Sequence, residues 1–162
     1  MNNQLSPIEK ETLEKNFLKQ NFKFVEKKIK GLLASGYNED WMNSVLAISY
    51  VKQKKYDDAE KEFINIIKKE PKKLSNYLNL ANLYRETNSY NKCIEILNKA
   101  LLLSPNEIKV LKLLSALYFS LNDLEKSLII TNKILEKNPF DLQILKQKSV
   151  ILVSIGEFED AL

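Results

Sequence analysis

The residue types that usually carry catalysis are nearly missing from this sequence. It contains no histidine, which removes the commonest general base, the commonest metal ligand and the Ser-His and Cys-His nucleophile pairs. Its single cysteine, Cys93, stands at a repeated position that otherwise holds alanine or serine, so we interpret it as a small core residue. Gly31, Gly36 and Gly156 are isolated, so a glycine-rich phosphate loop is absent. The sequence therefore predicts no catalytic residue, metal site or cofactor, and this chain by itself is not expected to be an enzyme.

Charge and hydropathy also exclude some partners. The net charge is only +4, lysines alternate with acids, and Arg85 is the only arginine. Arginine is the usual residue for phosphate and base-edge recognition, so nucleic-acid binding is not expected. The first 17 residues lack the pattern of a signal peptide, and no apolar run approaches the length of a membrane span. We therefore expect a cytoplasmic, reducing location and no membrane contact.

Three prolines, at Pro71, Pro105 and Pro139, are spaced 34 residues apart. Each follows an apolar stretch with helical periodicity and precedes another. A fixed period of this size indicates stacked structural repeats. The predicted organisation is a frayed terminus at 1–5, a helical hairpin at 6–39, repeat units at 40–73, 74–107 and 108–141, and a truncated unit at 142–162.

Small residues recur at two positions of the 34-residue repeat, whose alignment across the units is called the repeat frame below. The eighth and twentieth positions of the units hold Ala47, Ala81, Ser115, Ser149, Ala59, Cys93, Ser127 and Ala161. Small side chains let two helices approach closely, so these positions predict the crossing point of each helical hairpin. The turn between the two helices holds Lys54, Asn88, Asn122 and Gly156. Glycine and asparagine tolerate a left-handed helix end, whereas Lys54 predicts a strained or differently wound turn.

This pattern resembles the tetratricopeptide repeat (TPR) family. The resemblance is carried by the 34-residue period and by the aliphatic, small, aromatic and proline positions of each unit, such as Leu80, Ala81, Tyr84, Ala100 and Pro105. It implies an all-α fold, an α-α superhelix, which is a right-handed solenoid of helix-turn-helix hairpins. Residues 6–39 fit the same frame weakly and are interpreted as a degenerate repeat or a capping hairpin.

The resemblance also implies a function. In this family the first helices of the repeats line a concave groove, and stacked hairpins commonly act as scaffolds that bind a protein or peptide. The polar residues at the corresponding positions are Asn79, Asn82, Arg85, Lys109, Lys112 and Lys146. Asparagine amides can bind an extended peptide backbone, and the cations favour acidic side chains or a terminal carboxylate. The alternative is that these residues form an ordinary solvated surface without a binding role.

One familiar variant of such a groove is not expected. The family's clamp for a C-terminal carboxylate uses Lys, Asn and Arg across three repeats, but Ser44 and Ile48 stand at the first two of those positions. Trp41, Val45 and Ile48 instead predict an apolar end of the groove, or a surface covered by the N-terminal hairpin.

The last unit would need residues up to 175 to be complete, so we expect the sequence to belong to a longer chain. The alternative function is a substrate-recruiting TPR region of a glycosyltransferase or sulfotransferase whose catalytic domain lies beyond residue 162. The sequence leaves the oligomeric state and the identity of the partner open.

Overall fold

The computed structural model describes residues 5–156, and within this range the chain consists of α-helices joined by short connections, without β-strands. The helices are α1 (Pro7–Leu18), α2 (Phe22–Ala34), α3 (Asp40–Lys52), α4 (Tyr56–Lys69), α5 (Leu74–Glu86), α6 (Tyr90–Leu103), α7 (Ile108–Ser120), α8 (Leu124–Lys137) and α9 (Leu142–Ile155). The predicted all-α fold class is confirmed.

Both ends of the predicted organisation extend beyond the residues that the structure describes. Four of the five residues predicted to fray lie outside the described range, but Leu5 lies inside it. Leu5 is buried and donates its backbone N–H to Glu39 at 2.9 Å, so the prediction of fraying is wrong for this residue. The predicted start of a second helix in the last unit, residues 157–162, also lies outside the described range.

Local sequence signals account for where helices begin and end. Helix α1 starts with a capping box, because the Glu9 N–H donates to the Ser6 hydroxyl and the Ser6 N–H donates to the Glu9 carboxylate. Helices α4, α6 and α8 end two residues before Pro71, Pro105 and Pro139. The intervening residues are not helical, with φ between −125° and −142° and ψ between 68° and 84°, because a following proline disfavours helical backbone. Each of these prolines therefore closely follows the end of a helix.

Left-handed backbone recurs with the period of the sequence repeat. Positive φ angles occur at Gln20, Lys54, Asn88, Asn122 and Gly156, which are spaced 34 residues apart. Gln20 was not singled out by the sequence, since glutamine gives no signal for this conformation. Its place in the series favours the first of the two interpretations of residues 6–39, and we propose that this hairpin is a degenerate repeat.

The turn at Lys54 corrects one expectation. Its φ of 59° equals that of Asn122 and is close to the 55° of Asn88, so the turn is wound in the same way as its counterparts. The Lys55 N–H donates to the Tyr50 carbonyl at 2.9 Å, and the Lys54 N–H donates to the Val51 carbonyl at 2.9 Å. These bonds form the Schellman motif, which satisfies the last carbonyls of α3. The hydrogen bonds of the helix end therefore hold Lys54 in a conformation that its side chain disfavours.

Replacing Lys54 with glycine is expected to raise the free energy of unfolding by about 0.5–1 kcal/mol. Glycine removes the steric cost of left-handed backbone, and part of this gain is offset by the greater freedom of glycine in the unfolded chain. The measurement is chemical denaturation followed by circular dichroism. The control is Lys61→Gly in the middle of α4, which is expected to lower stability by about 1 kcal/mol. Equal losses from both variants would contradict the strain at Lys54.

The helices form two compact units, one extending to Asn88 and the other starting at Ser89. In the first unit, α1 packs on α2, α2 on α3, α3 on α4, and α4 on α5. Ala47 and Ala59 are both 0% exposed on the paired helices α3 and α4, which agrees with their predicted place at a close helix crossing.

A charged cluster ties α2 to the turn between α3 and α4 in the first unit. Glu26 on α2 accepts hydrogen bonds from Lys55 at 2.7 Å, from Lys30 at 2.9 Å and from the Gln53 amide at 2.9 Å. Burial acts to raise the pKa of Glu26, but these three donors outweigh it and lower the pKa to about 2. The cluster therefore fastens α2 to the turn between α3 and α4, which supports the N-terminal hairpin against the next one.

In the second unit, α6 packs on α7, α7 on α8, and α8 on α9. Its core contains Leu111 from α7, Ile134 from α8 and Ile144 from α9, each at most 2% exposed. One side chain from each of three helices thus meets in the same cluster. This cluster fixes the position of α9, which carries the exposed Lys146.

Candidate functional site

The three predicted groove residues of the first unit lie on one face of α5. Asn79, Asn82 and Arg85 are spaced three residues apart, so they follow one another along this helix. Asn82 and Arg85 are exposed, and Asn79 is half-buried. Within residues 5–156, none of these three side chains forms a hydrogen bond or ion pair with another residue. Two amides and a guanidinium on this face are therefore free to bind another molecule.

The three predicted lysines belong to the second unit, and they do not share one role. Lys109 on α7 and Lys146 on α9 are exposed, and neither pairs with a carboxylate in the described part of the chain. The Lys112 ammonium instead lies 2.5 Å from Asp141, the N-cap residue of α9, whose carboxylate also accepts from the Ile144 N–H at 3.3 Å. This contact lowers the pKa of Asp141. Lys112 therefore fastens α9 to α7, and its charge is compensated within the chain.

A buried polar cluster in the second unit was missed by the sequence analysis. The Ser115 hydroxyl lies 2.9 Å from the Thr131 hydroxyl and 3.3 Å from the Ser127 hydroxyl, and the Gln147 amide donates to Ser115 at 3.0 Å. Ser115, Ser127 and Thr131 are 0% exposed. The repeat frame identified the two serines only as small residues. Their hydroxyls additionally connect α7, α8 and α9, so the cluster is structural in character.

An open apolar cleft lies between α1 and α3 in the first unit. It has a volume of about 260 Å³ and is lined by Lys10, Leu13, Glu14, Phe17, Trp41 and Val45. The sequence analysis singled out Trp41 and Val45 as an apolar end of the groove or a covered surface. In the structure α1 lies beside Trp41 and Val45 and leaves a cleft between the two helices. Ile48 is half-buried and does not line it.

Glu39 organises one end of this cleft. Its carboxylate accepts from the Trp41 indole N–H at 2.7 Å, from the Lys10 ammonium at 2.8 Å and from the Leu5 backbone N–H at 2.9 Å. The Lys10 contact is the largest of these effects, and together they lower the pKa of Glu39 to about 2. Glu39 lies in a connection between helices, where no periodicity marks it. The only sequence signal was its position two residues before the single tryptophan.

The low pKa of Glu39 predicts the pH range over which the cleft keeps its shape. Its folded pKa of about 2 lies below the ordinary value of 4.5, so the contribution of the carboxylate to stability is present above pH 4.5 and is lost as the pH falls through about 2. The indole of Trp41 should therefore remain held at pH 4.5 as it is at pH 7.

The measurement is the fluorescence of Trp41, the only tryptophan in the sequence. A Glu14→Gln background removes the one carboxylate that lines the described cleft. In this background, emission should be constant from pH 7 to pH 4.5 while circular dichroism reports an intact fold. An emission change centred near pH 4.5 would show that Glu39 does not hold the indole.

Within residues 5–156, no group of three or more acidic or cysteine side chains is arranged to hold a metal ion. None of the helices in that range is long and apolar enough to cross a membrane.

The sequence and the fold were compared with known proteins. Residues 50–117 match the family model described as tetratricopeptide repeat. No curated protein matches the sequence. A crystal structure of MamA superposes with a TM-score of 0.78 at 15% identity, covering 98% of this chain and 90% of that one.

Two further structures have a similar fold. MamA 41-end from Desulfovibrio magneticus RS-1 superposes with a TM-score of 0.75 at 14% identity, over 94% of this chain and 86% of that one. The first TPR of Spaghetti (RPAP3), bound to the HSP90 peptide SRMEEVD, gives a TM-score of 0.62 at 20% identity, over 72% and 93% of the two chains. At these identities the likeness concerns the fold alone. Residues 50–117 therefore match the tetratricopeptide repeat family in sequence, and the fold is similar to that of MamA over more than nine-tenths of the chain.

Proposed function

We propose that this chain is a non-catalytic scaffold that binds a protein or peptide along the exposed faces of its first helices. The observation that carries the proposal is the α5 face, where Asn79, Asn82 and Arg85 have no partner within the described residues. The tetratricopeptide repeat fold is typical of protein-interaction scaffolds, which supports this role.

The chemistry of the α5 face favours an extended segment. A primary amide can donate to a backbone carbonyl and accept from a backbone N–H, so Asn79 and Asn82 can bind successive peptide groups without demanding particular side chains. Arg85 can form two parallel hydrogen bonds with a carboxylate. In the second unit, Lys109 and Lys146 add exposed positive charge. Each of these cations by itself favours acidic side chains or a terminal carboxylate in the partner.

The test is affinity capture with the complete chain, comparing wild type with Asn82→Ala/Arg85→Ala. The expected result is loss of a specific partner that wild type recovers. The matched control is Asn65→Ala/Lys61→Ala on α4, which removes one exposed amide and one cation from a second helix. Recovery of the partner by Asn82→Ala/Arg85→Ala at the wild-type level would contradict the assignment of the α5 face.

The lysines of the second unit need their own variant. Lys109→Ala/Lys146→Ala removes two charges that have no carboxylate partner in residues 5–156, and it should weaken capture more at low salt than at high salt. Lys112 is left intact in this variant because its loss would leave Asp141 unpaired and disturb α9. Unchanged capture at low salt would exclude the second-unit lysines from the binding surface.

A further inference from the structure

Two aromatic side chains in the wall of the cleft between α1 and α3 are held in place by residues that do not line it. Phe17 forms an edge-to-face contact with Phe22, with ring centroids 5.5 Å apart and an interplanar angle of 82°. The Trp41 indole is fixed by its hydrogen bond to Glu39 at 2.7 Å. Neither aromatic ring has to be ordered when another group enters the cleft. Such preorganisation reduces the entropic cost of binding.

The size of the cleft matches one large side chain. Its volume is about 260 Å³, and an apolar cavity of about 150 Å³ is sufficient to hold benzene. The cleft is smaller than the sites of roughly 300–1,000 Å³ that take whole small-molecule ligands. Leu13, Phe17, Trp41 and Val45 supply apolar walls, so the occupant must itself be apolar.

The charges around the cleft do not cancel. Lys10 is compensated by Glu39 at 2.8 Å, and Glu39 is shielded by the two further donors that it binds. Glu14, by contrast, is exposed, lines the cleft and pairs with no cation in the part of the chain that the structure describes. The rim therefore presents one uncompensated negative charge beside an apolar cleft. A positive charge next to the apolar group of the occupant would complement it.

We propose that this cleft binds an aromatic or large aliphatic side chain of a partner peptide in which a lysine or arginine is adjacent. The proposal rests on the proposed function, because it assigns a class of partner segment to a scaffold. It concerns a surface distinct from the α5 face, and it selects the opposite charge. The two assignments can therefore fail separately.

The probes are acetylated and amidated peptides with the sequences Gly-Ser-Phe-Lys-Ser-Gly, Gly-Ser-Phe-Glu-Ser-Gly and Gly-Ser-Ala-Lys-Ser-Gly. Titration into the complete chain is followed by the emission of Trp41, which reports from the cleft wall and is the only tryptophan in the sequence. The Phe-Lys peptide should bind at least about tenfold tighter than the Ala-Lys peptide, because the ring leaves water. It should bind about threefold to fivefold tighter than the Phe-Glu peptide, as expected for an exposed ion pair.

Charge reversal provides the specific test. Glu14→Lys should invert the preference, so that the Phe-Glu peptide binds tighter than the Phe-Lys peptide. The matched control is Glu11→Lys on the same helix, which reverses an exposed charge that does not line the cleft. It should retain the preference for Phe-Lys, and circular dichroism confirms that both variants are folded.

Three results would overturn the proposal. Equal binding of the Phe-Lys and Ala-Lys peptides would show that the cleft takes no anchor side chain. An unchanged preference in Glu14→Lys would remove the role of its charge. A change of Trp41 emission with protein concentration alone would identify a second copy of the chain as the occupant. If peptide binding behaves as expected while Asn82→Ala/Arg85→Ala captures partners normally, only the α5 assignment fails.

Discussion

Truncation of Ile134 to alanine is expected to lower the free energy of unfolding by about 2–5 kcal/mol. Ile134 is 0% exposed and meets Leu111 and Ile144 in the core of the second unit. Its loss leaves a cavity where three helices converge, in addition to the lost burial of its own methyl and methylene groups. The measurement is the shift of the urea-unfolding transition, followed by circular dichroism on the complete chain.

Ile129 offers the matched control for this experiment, because it lies on the same helix and is 61% exposed. Ile129→Ala should change stability by no more than about 0.5 kcal/mol. If the two variants lost the same stability, the orientation of α8 that buries Ile134 would be wrong.

Replacement of Ala47 with leucine is expected to cost about 1–3 kcal/mol. Ala47 is fully buried on α3, and α4 packs against this helix with Ala59, which is also fully buried. Three additional carbon atoms at this position must push the two helices apart or force side chains from their preferred rotamers. Thermal unfolding monitored by circular dichroism measures the loss.

The comparison variant is Ala116→Leu, at an exposed position of α7. The same enlargement at that position meets solvent and should leave the melting temperature nearly unchanged. A melting temperature of Ala47→Leu equal to that of Ala116→Leu would contradict the close helix crossing that the small residues of the repeat frame predict.

The repeat frame was accessible from sequence because it depends on steric properties. A proline terminates a helix whatever surrounds it, and Pro71, Pro105 and Pro139 could be identified without knowledge of their neighbours. Small residues such as Ala47 and Ala59 mark close helix approach in the same way. The turn at Lys54 shows the limit of this logic. Its residue type argues against left-handed backbone, but the hydrogen bonds that end α3 impose it.

The details of the candidate surfaces depend on contacts between residues distant in sequence, and these could not be predicted. Lys112 was grouped with Lys109 because both stand at groove positions implied by the family resemblance, yet Lys112 is paired with Asp141. Glu39 gave no periodic signal, although it holds Trp41 and Lys10. Ser115 was identified by its size, whereas its hydrogen bonds to Thr131 and Gln147 depend on how three helices pack. Contacts across helices, rather than residue type, therefore determine which polar side chains can bind a partner and which already pair within the chain.

The two proposed surfaces of the first unit differ in chemistry. The α5 face offers amides and a guanidinium, whereas the cleft between α1 and α3 offers aromatic walls and the charge of Glu14. A partner that uses both would contain an acidic or carboxylate-bearing segment and, separately, an apolar residue next to a cation. Binding both segments of one partner would raise the overall affinity through effective concentration, without any new contact.

Photo-crosslinking tests the central claim, that the first helices carry the binding surface, most directly. The complete chain is prepared with p-benzoylphenylalanine at position 82 on α5 or at position 65 on α4, both of which are exposed. Irradiation in cell extract should give a defined adduct from position 82, and the Arg85→Ala substitution should reduce its yield. Position 65 should give none. An adduct from position 65 alone, or equal yields from both positions, would contradict a binding surface on the first helices.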